Sequence, residues 1–191
     1  LTELINYEKI GTPSKKHGKY YFFKNDGLQN QSVLYTKETL DATPEVLLDP
    51  NTLSNDGTVA LDKISFSNDG RYLGYTISRK GSDWKEIFVI DLETRQHLND
   101  HILWAKFTGI QWHGNGFYYS AYNAPVEGKE FSNVNENHKI YYHRLGTPQN
   151  EDVLIYQNPE YPRRFYSCSV SDDEEVMFIY ESGAHNGNRL F

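Results

Sequence analysis

A hairpin that comes back along the chain sets the terms on which this sequence can fold. Its clearest copy is Lys63-Ile64-Ser65-Phe66-Ser67-Asn68-Asp69-Gly70-Arg71-Tyr72-Leu73-Gly74-Tyr75-Thr76-Ile77. Apolar side chains alternate at Ile64 and Phe66 and return at Tyr72, Leu73, Tyr75 and Ile77, the period of two that strands require. Between them, Asn68-Asp69-Gly70 supplies the positive φ that a short turn needs.

The same order of strong and weak strands recurs. Residues 19–24 and 32–36 read as strands around the loop 25–31, followed by a strand over 45–49 and a polar linker over 50–58. After the 63–77 hairpin come the loop 81–84, a strand over 85–92 and a weaker one over 96–98. The unit then restarts with strands over 105–112, 117–122, 139–143 and 152–156, and again with 165–170 and 176–180 before a short end at 189–191. Second strands begin at Tyr20, Tyr72, Phe117 and Val176, so the spacings are 52, 45 and 59 residues. Units of this size holding four short strands are the mark of propeller blades. A β-sandwich also has short strands and frequent turns, but it has no reason to repeat the order of strand strengths.

The expected fold is therefore all-β, a partial β-propeller of four-stranded antiparallel blades: blade 1 over about 5–50, blade 2 over 60–103, blade 3 over 105–158 and part of blade 4 over 164–191. The inner strand of the first blade is expected near Tyr7 to Ile10. About three and a half blades do not close a ring, which leaves open edges.

Composition agrees where it bears on this. Fifteen Tyr and ten Phe stand against one Met, with 14 Gly and 7 Pro to make turns. A net charge of −7 argues against a sequence-independent nucleic-acid partner, since the nearest basic cluster is the small patch Ser14-Lys15-Lys16-His17. No run of 18 apolar residues is present and Leu1 opens no signal-peptide pattern; the absence of an initiator Met suggests a processed protein or an excised piece. Cys168, the single cysteine, reads as a small core residue and leaves the compartment open, cytoplasmic or periplasmic.

Few residues offer chemistry of their own. No G-x-S-x-G elbow is present, and the serines lie in turns or alternate along strands. His97 and His101 have the spacing of a helical metal pair but sit in strand-like surroundings without a third ligand. The Asn-Asp-Gly and Asp-Asp-Glu turns lack the repeated oxygens of a calcium loop, and Asn30-Gln31-Ser32 fits a glycosylation sequon that chance often supplies. No cofactor or metal is expected.

Topology is more informative. In an up-and-down blade, loops between strands two and three share a face with the connections between blades. That face gathers residues 27–31, 81–84, 124–137 and 183–188, together with Phe107 and Phe165 at the starts of inner strands. Long loops grouped at one end of a rigid scaffold are where binding sits. Two readings of Phe107 and Phe165 stand side by side: ordinary core, or an apolar pocket wall at the tunnel mouth. Trp84, after Asp83, either stacks on a ligand or pins its loop. Residues 124–137 lack periodicity and read as mobile.

At Gly27-Leu28-Gln29-Asn30-Gln31, Leu48-Asp49-Pro50-Asn51, Leu53-Ser54, Asp56-Gly57-Thr58-Val59-Ala60-Leu61, Gly81-Ser82-Asp83-Trp84 and Lys139-Ile140-Tyr141-Tyr142-His143-Arg144-Leu145-Gly146-Thr147, the chain resembles the prolyl oligopeptidase (prolyl endopeptidase) family nearly end to end. The resemblance implies the first half of a seven-bladed propeller that covers an α/β-hydrolase domain, whose Ser-Asp-His triad cleaves short peptides after proline. None of the hydrolase domain is in this sequence, so the piece is expected to be inactive alone, with short proline-containing peptides and the missing hydrolase domain as the partners of its parent. Phe107 would be an aromatic wall of the subsite for the third residue before the cut. Phe165 and Ala184 fall where many members have Met and Cys in that subsite, and so depart from the pattern. Asp83 and Trp84 would face the domain interface, and residues 124–137 match a loop that helps control substrate access. The alternative function is a non-catalytic interaction module that self-associates through its open edges.

Overall fold

The computed structural model describes residues 6–126, 128, 135–183 and 187–191. It is nearly all β, with antiparallel pairing wherever strands meet, and its contacts divide it into two units: residues 1–61 with 78–81, and residues 62–77 with 82–191.

In the first unit β1 (Lys9–Ile10) and β2 (Ser14–Lys16) both pair with one edge of β3 (Lys19–Asn25). The other edge of β3 pairs with β4 (Val33–Lys37), which pairs with β5 (Glu45–Leu48). The inner strand expected near Tyr7 is thus two short pieces. The small basic patch at 14–17 is exposed and forms a short strand, closed onto β3 by His17 and Gly18 with φ of 46° and 82°, the double positive φ of a two-residue hairpin. The linker over 50–58 opens with a 3-10 turn over Pro50–Thr52, capped by the Asp49 carboxylate, which accepts from the Asn51 N–H. Gln31 then replaces a strand: its amide donates to the Val59 carbonyl at 2.7 Å and accepts from the Leu61 N–H at 2.8 Å.

Blade 2 is β6 (Val59–Phe66), β7 (Tyr72–Arg79), β8 (Lys85–Asp91) and β9 (Gln96–Ala105); its first strand ends in the Ser67 turn. Blade 3 is β10 (Gln111–His113), β11 (Gly116–Ala121), β12 (Lys139–Arg144) and β13 (Val153–Gln157). The last sheet is β14 (Phe165–Val170), β15 (Met177–Ser182) and β16 (Arg189–Leu190). The expected partial propeller of antiparallel sheets is the fold found.

Two strands differ from expectation. The fourth strand of blade 2, expected weak and short over 96–98, runs ten residues to Ala105. Its polar run hides a buried Asp100 where a sequence reader looks for an apolar residue. The next inner strand, expected over 105–112, is broken: Ala105 ends β9 and pairs with Ala121, and only Gln111–His113 form β10. Blades 2 and 3 are consequently one eight-stranded sheet in backbone terms.

The core of the second unit lies between these blades, where Ile87, Val89, Ile102, Ile110, Trp112 and Phe117 are buried together. Trp112 stacks on Tyr72 with centroids 6.0 Å apart, and its Nε1–H donates to the Ser65 carbonyl at 3.1 Å. Gly74 permits this approach: a Cβ there would stand 2.8 Å from Ile110 Cδ1 and 3.1 Å from Trp112 Cζ2. Cys168 is buried as expected, and burial pushes its thiol up to about 12.

The hairpin turns repeat atom for atom. Ser67 donates its hydroxyl to Asp69 Oδ1 at 2.6 Å and accepts the Tyr72 N–H at 2.8 Å. Ser171 does the same toward Asp173 and the Val176 N–H. Gly70 takes the left-handed position of the first turn at φ 73°, and Glu174 takes it in the second at 60°.

Candidate functional site

Phe107 sits in the break between β9 and β10, and the break is built rather than loose. Trp104 and Phe107 have φ of 60° and 51°, a left-handed backbone that bulky side chains avoid at a cost of about 1–3 kcal/mol each. Lys106 still donates its N–H to the Ser120 carbonyl at 3.2 Å. Thr108 then repairs the ladder with its side chain, its Oγ1 accepting the Ser120 N–H at 2.7 Å. The backbone bulges outward between these two bonds and carries the Phe107 ring with it.

That ring lies against Phe165, the first residue of β14, with centroids 5.2 Å apart. Phe107 is 51% exposed and Phe165 38%, so neither is ordinary core, and the two rings lie together at the surface. Beside Phe165, Arg164 pairs with the fully buried Glu181 and lies 4.5 Å over the Tyr161 ring. Ala184 lies outside the described residues, as do 127 and 129–134 of the segment 124–137.

Trp84 joins the same region. Its indole meets Trp104 edge-on at 5.6 Å and Tyr122 edge-on at 6.1 Å. The Lys106 ammonium stands 4.9 Å from the Trp84 ring and 5.4 Å from the Phe107 ring, a cation between two aromatic faces. Its carboxylate neighbour is Asp83, 3.7 Å away and 81% exposed at the side chain. Trp84 therefore packs between its own blade end and Tyr122 of the next, while Asp83 points to solvent. A cleft of about 160 Å³ opens beside Trp84 and Tyr122, lined also by Pro125, Val126 and Glu136. A larger one of about 520 Å³ lies between Trp104, Tyr119, Tyr141 and Asn150.

Phe107, Phe165, Asp83 and Trp84, picked out on topology, thus meet at one end of the second unit. Sequence reading missed Trp104, Lys106, Tyr122 and His138, which complete the cluster. Trp104 and Lys106 flank Phe107 closely enough to be suspected; His138 carries no local signal.

A second polar group was also missed. His143 is fully buried, with Nε2 2.9 Å from Asp100 Oδ1 and Nδ1 2.6 Å from Asp152 Oδ1. Tyr119 donates its hydroxyl to Asp152 Oδ2 at 2.6 Å, and the Gly146 N–H donates to Asp100 Oδ1 at 2.7 Å. Burial alone would lower the imidazole, but the bonds to Asp100 and Asp152 outweigh it and hold His143 up to about 9. Burial works to raise Asp100, and the bonds from His143 and Gly146 keep it below the usual carboxylate range. The network ties β9, β12 and the start of β13 inside the sheet and is structural. His97 and His101 go separate ways, His97 toward the Tyr75 hydroxyl at 3.3 Å and His101 onto Glu86 at 2.8 Å. Among the described residues no cluster of three or more His, Cys, Asp or Glu is placed to hold a metal ion.

A family profile described as "Prolyl oligopeptidase, N-terminal beta-propeller domain" matches residues 1–191. The chain is 47% identical to a prolyl endopeptidase of Elizabethkingia meningoseptica over 193 residues, covering 100% of this chain and 27% of that protein. It is 33% identical to the dual function macrocyclase-peptidase POPB of Galerina marginata, over 92% of this chain and 27% of that protein. A solved structure of prolyl oligopeptidase B from Galerina marginata, bound to a 35mer hydrolysis and macrocyclization substrate, superposes with a TM-score of 0.87 at 31% identity, covering 97% of this chain and 29% of that one. The chain thus spans about a quarter of the length of the curated relatives it matches.

Proposed function

Since the chain belongs to the prolyl oligopeptidase family as its N-terminal propeller portion, we propose that it serves a longer serine-type prolyl endopeptidase as the part that screens substrates and forms one wall of the peptide subsite. In this reading the propeller admits short peptides and keeps folded proteins out, while the Ser-Asp-His triad belongs to an α/β-hydrolase domain outside this sequence. Phe107 and Phe165 receive the third residue before the cut. Asp83 and Trp84 face the hydrolase domain, and residues 124–137 regulate access.

The observation that carries the reading is the pair of half-exposed phenyl rings, 5.2 Å apart, in which a strained break in the strand order lifts Phe107 out of the sheet beside Phe165 at the start of β14. Strain of that kind persists where a function needs the side chain held in place. An apolar wall beside the cut would desolvate the peptide near the triad.

Two measurements test it. The 191-residue chain alone, given a proline-linked chromogenic peptide, is expected to show no turnover; turnover that survives exhaustive purification would overturn the assignment. In the longer enzyme, Phe107→Ala is expected to raise KM for peptides with an apolar third residue before proline by roughly tenfold, with a smaller effect on kcat. An equal loss on peptides that stop at the second residue would remove Phe107 from that subsite.

A further inference from the structure

The two rings of the wall come from separate segments, the break after β9 and the start of β14, and one imidazole is bonded to the backbone beside both. His138 is fully buried, and both of its ring nitrogens are engaged. Nε2 lies 2.8 Å from the Lys106 carbonyl oxygen, and Nδ1 lies 2.8 Å from the Tyr166 backbone nitrogen. A carbonyl only accepts and an amide N–H only donates, so the proton is on Nε2 and Nδ1 is the acceptor. Burial pushes the group down to about 4, so the neutral form with this proton placement holds near pH 7.

The positions of the two partners matter. The Lys106 carbonyl belongs to the peptide that leads into Phe107, and the Tyr166 N–H belongs to the peptide that leaves Phe165. The ring is also held by packing, with centroids 4.5 Å from Tyr122, 6.2 Å from Phe107 and 6.4 Å from Tyr166.

We propose that His138 is a positioning residue for the subsite: its two backbone hydrogen bonds strap the peptide before Phe107 to the peptide after Phe165 and so set the width of the apolar wall that receives a peptide's third residue. This rests on the reading given under Proposed function. The strap also explains how a phenylalanine with left-handed backbone stays in place. Lys106 and Ser120 hold one side of the bulge, and His138, just before β12, holds the other.

The test uses the longer peptidase and the ratio of kcat/KM between two reporters, one with Phe as the third residue before the cut and one that stops at the second. Phe107→Ala is the reference. His138→Leu, which loses both bonds, should cut that ratio roughly tenfold, mainly through KM. His138→Gln keeps one donor and one acceptor and should recover most of the ratio; His138→Asn, too short to reach both peptides, should fall between. Should His138→Leu not fold, the order of Gln above Asn carries the same information. A full ratio in all foldable His138 variants, with Phe107→Ala reducing it, would sink the strap while leaving the subsite in place. A full ratio in Phe107→Ala itself would remove the subsite, and with it the strap's role.

Discussion

The two ends of the blades in the second unit are made by opposite means. At the hairpin end the turns are short and locally satisfied: Ser67 and Ser171 each close the same hydroxyl-to-carboxylate bond with the Asp two residues on. Where that end carries strain, at Glu174 with φ 60°, the side chain is put to use, accepting from the Gly114 N–H at 2.6 Å and from Asn68 Nδ2 at 2.7 Å, and so clasps turns from three repeats. At the loop end the bulky residues with left-handed backbone are Trp104 and Phe107, and what they gain is an exposed ring pair rather than a clasp. Strain at one end serves cohesion, and at the other it serves presentation.

The sharpest test starts from the buried network that ties β9 and β12 between the two ends. His143→Leu would leave Asp100 and Asp152 buried without their shared cation, and stability in urea should fall by about 3–5 kcal/mol. A loss under 1 kcal/mol would show that the carboxylates find water. Next in size is Gly74→Ala, whose new methyl meets Ile110 and Trp112; calorimetry should show a loss of about 1–3 kcal/mol, and no loss would mean the blades slide apart freely.

At the hairpin end Glu174→Ala loses two charge-assisted bonds while keeping a left-handed non-glycine, and about 1–2 kcal/mol of stability should go with it. Phe107→Gly at the loop end relieves its φ but forfeits the ring contact, so its stability should stay within about 1 kcal/mol of the unmodified chain. Equal losses at Glu174 and Phe107 would erase the distinction drawn above.

The same buried network also sets a pH profile. The folded pKa of His143, about 9, lies above its unfolded value near 6.5. Its contribution is therefore fully present below about pH 6.5 and lost as pH rises through about 9, while Asp100, held low, contributes above its unfolded value near 3.8 and loses that contribution as pH falls. The urea midpoint should decline between pH 6.5 and 9, and His143→Leu should flatten that limb.

How much of this could be read from the residues follows from how local each signal is. The hairpins were legible because alternation and Asn68-Asp69-Gly70 speak for themselves within a few residues. The meeting of Phe107, Phe165 and Trp84 was legible through topology, because strand order alone decides which loops share an end. The break at Phe107 was not. Nothing in Trp104-Ala105-Lys106-Phe107 announces left-handed backbone, which Thr108, Ser120 and His138 impose from elsewhere. The length of β9 was lost for a related reason: Asp100 is buried only because His143, 43 positions on, supplies its partner. Glu174 hides in the same way, since its pattern looks like any acidic turn until Gly114 and Asn68 are brought beside it.

The pairing of Ala105 with Ala121 has a practical side for anyone who would treat the blades as interchangeable parts. The hydrogen-bond ladder crosses from one sequence repeat to the next there, so the natural seam for grafting, permutation or truncation is not between the second and third repeats. A splice at that point would expose bare strand edges on both products. Amide exchange should find the two repeats opening together, as one cooperative block rather than two modules.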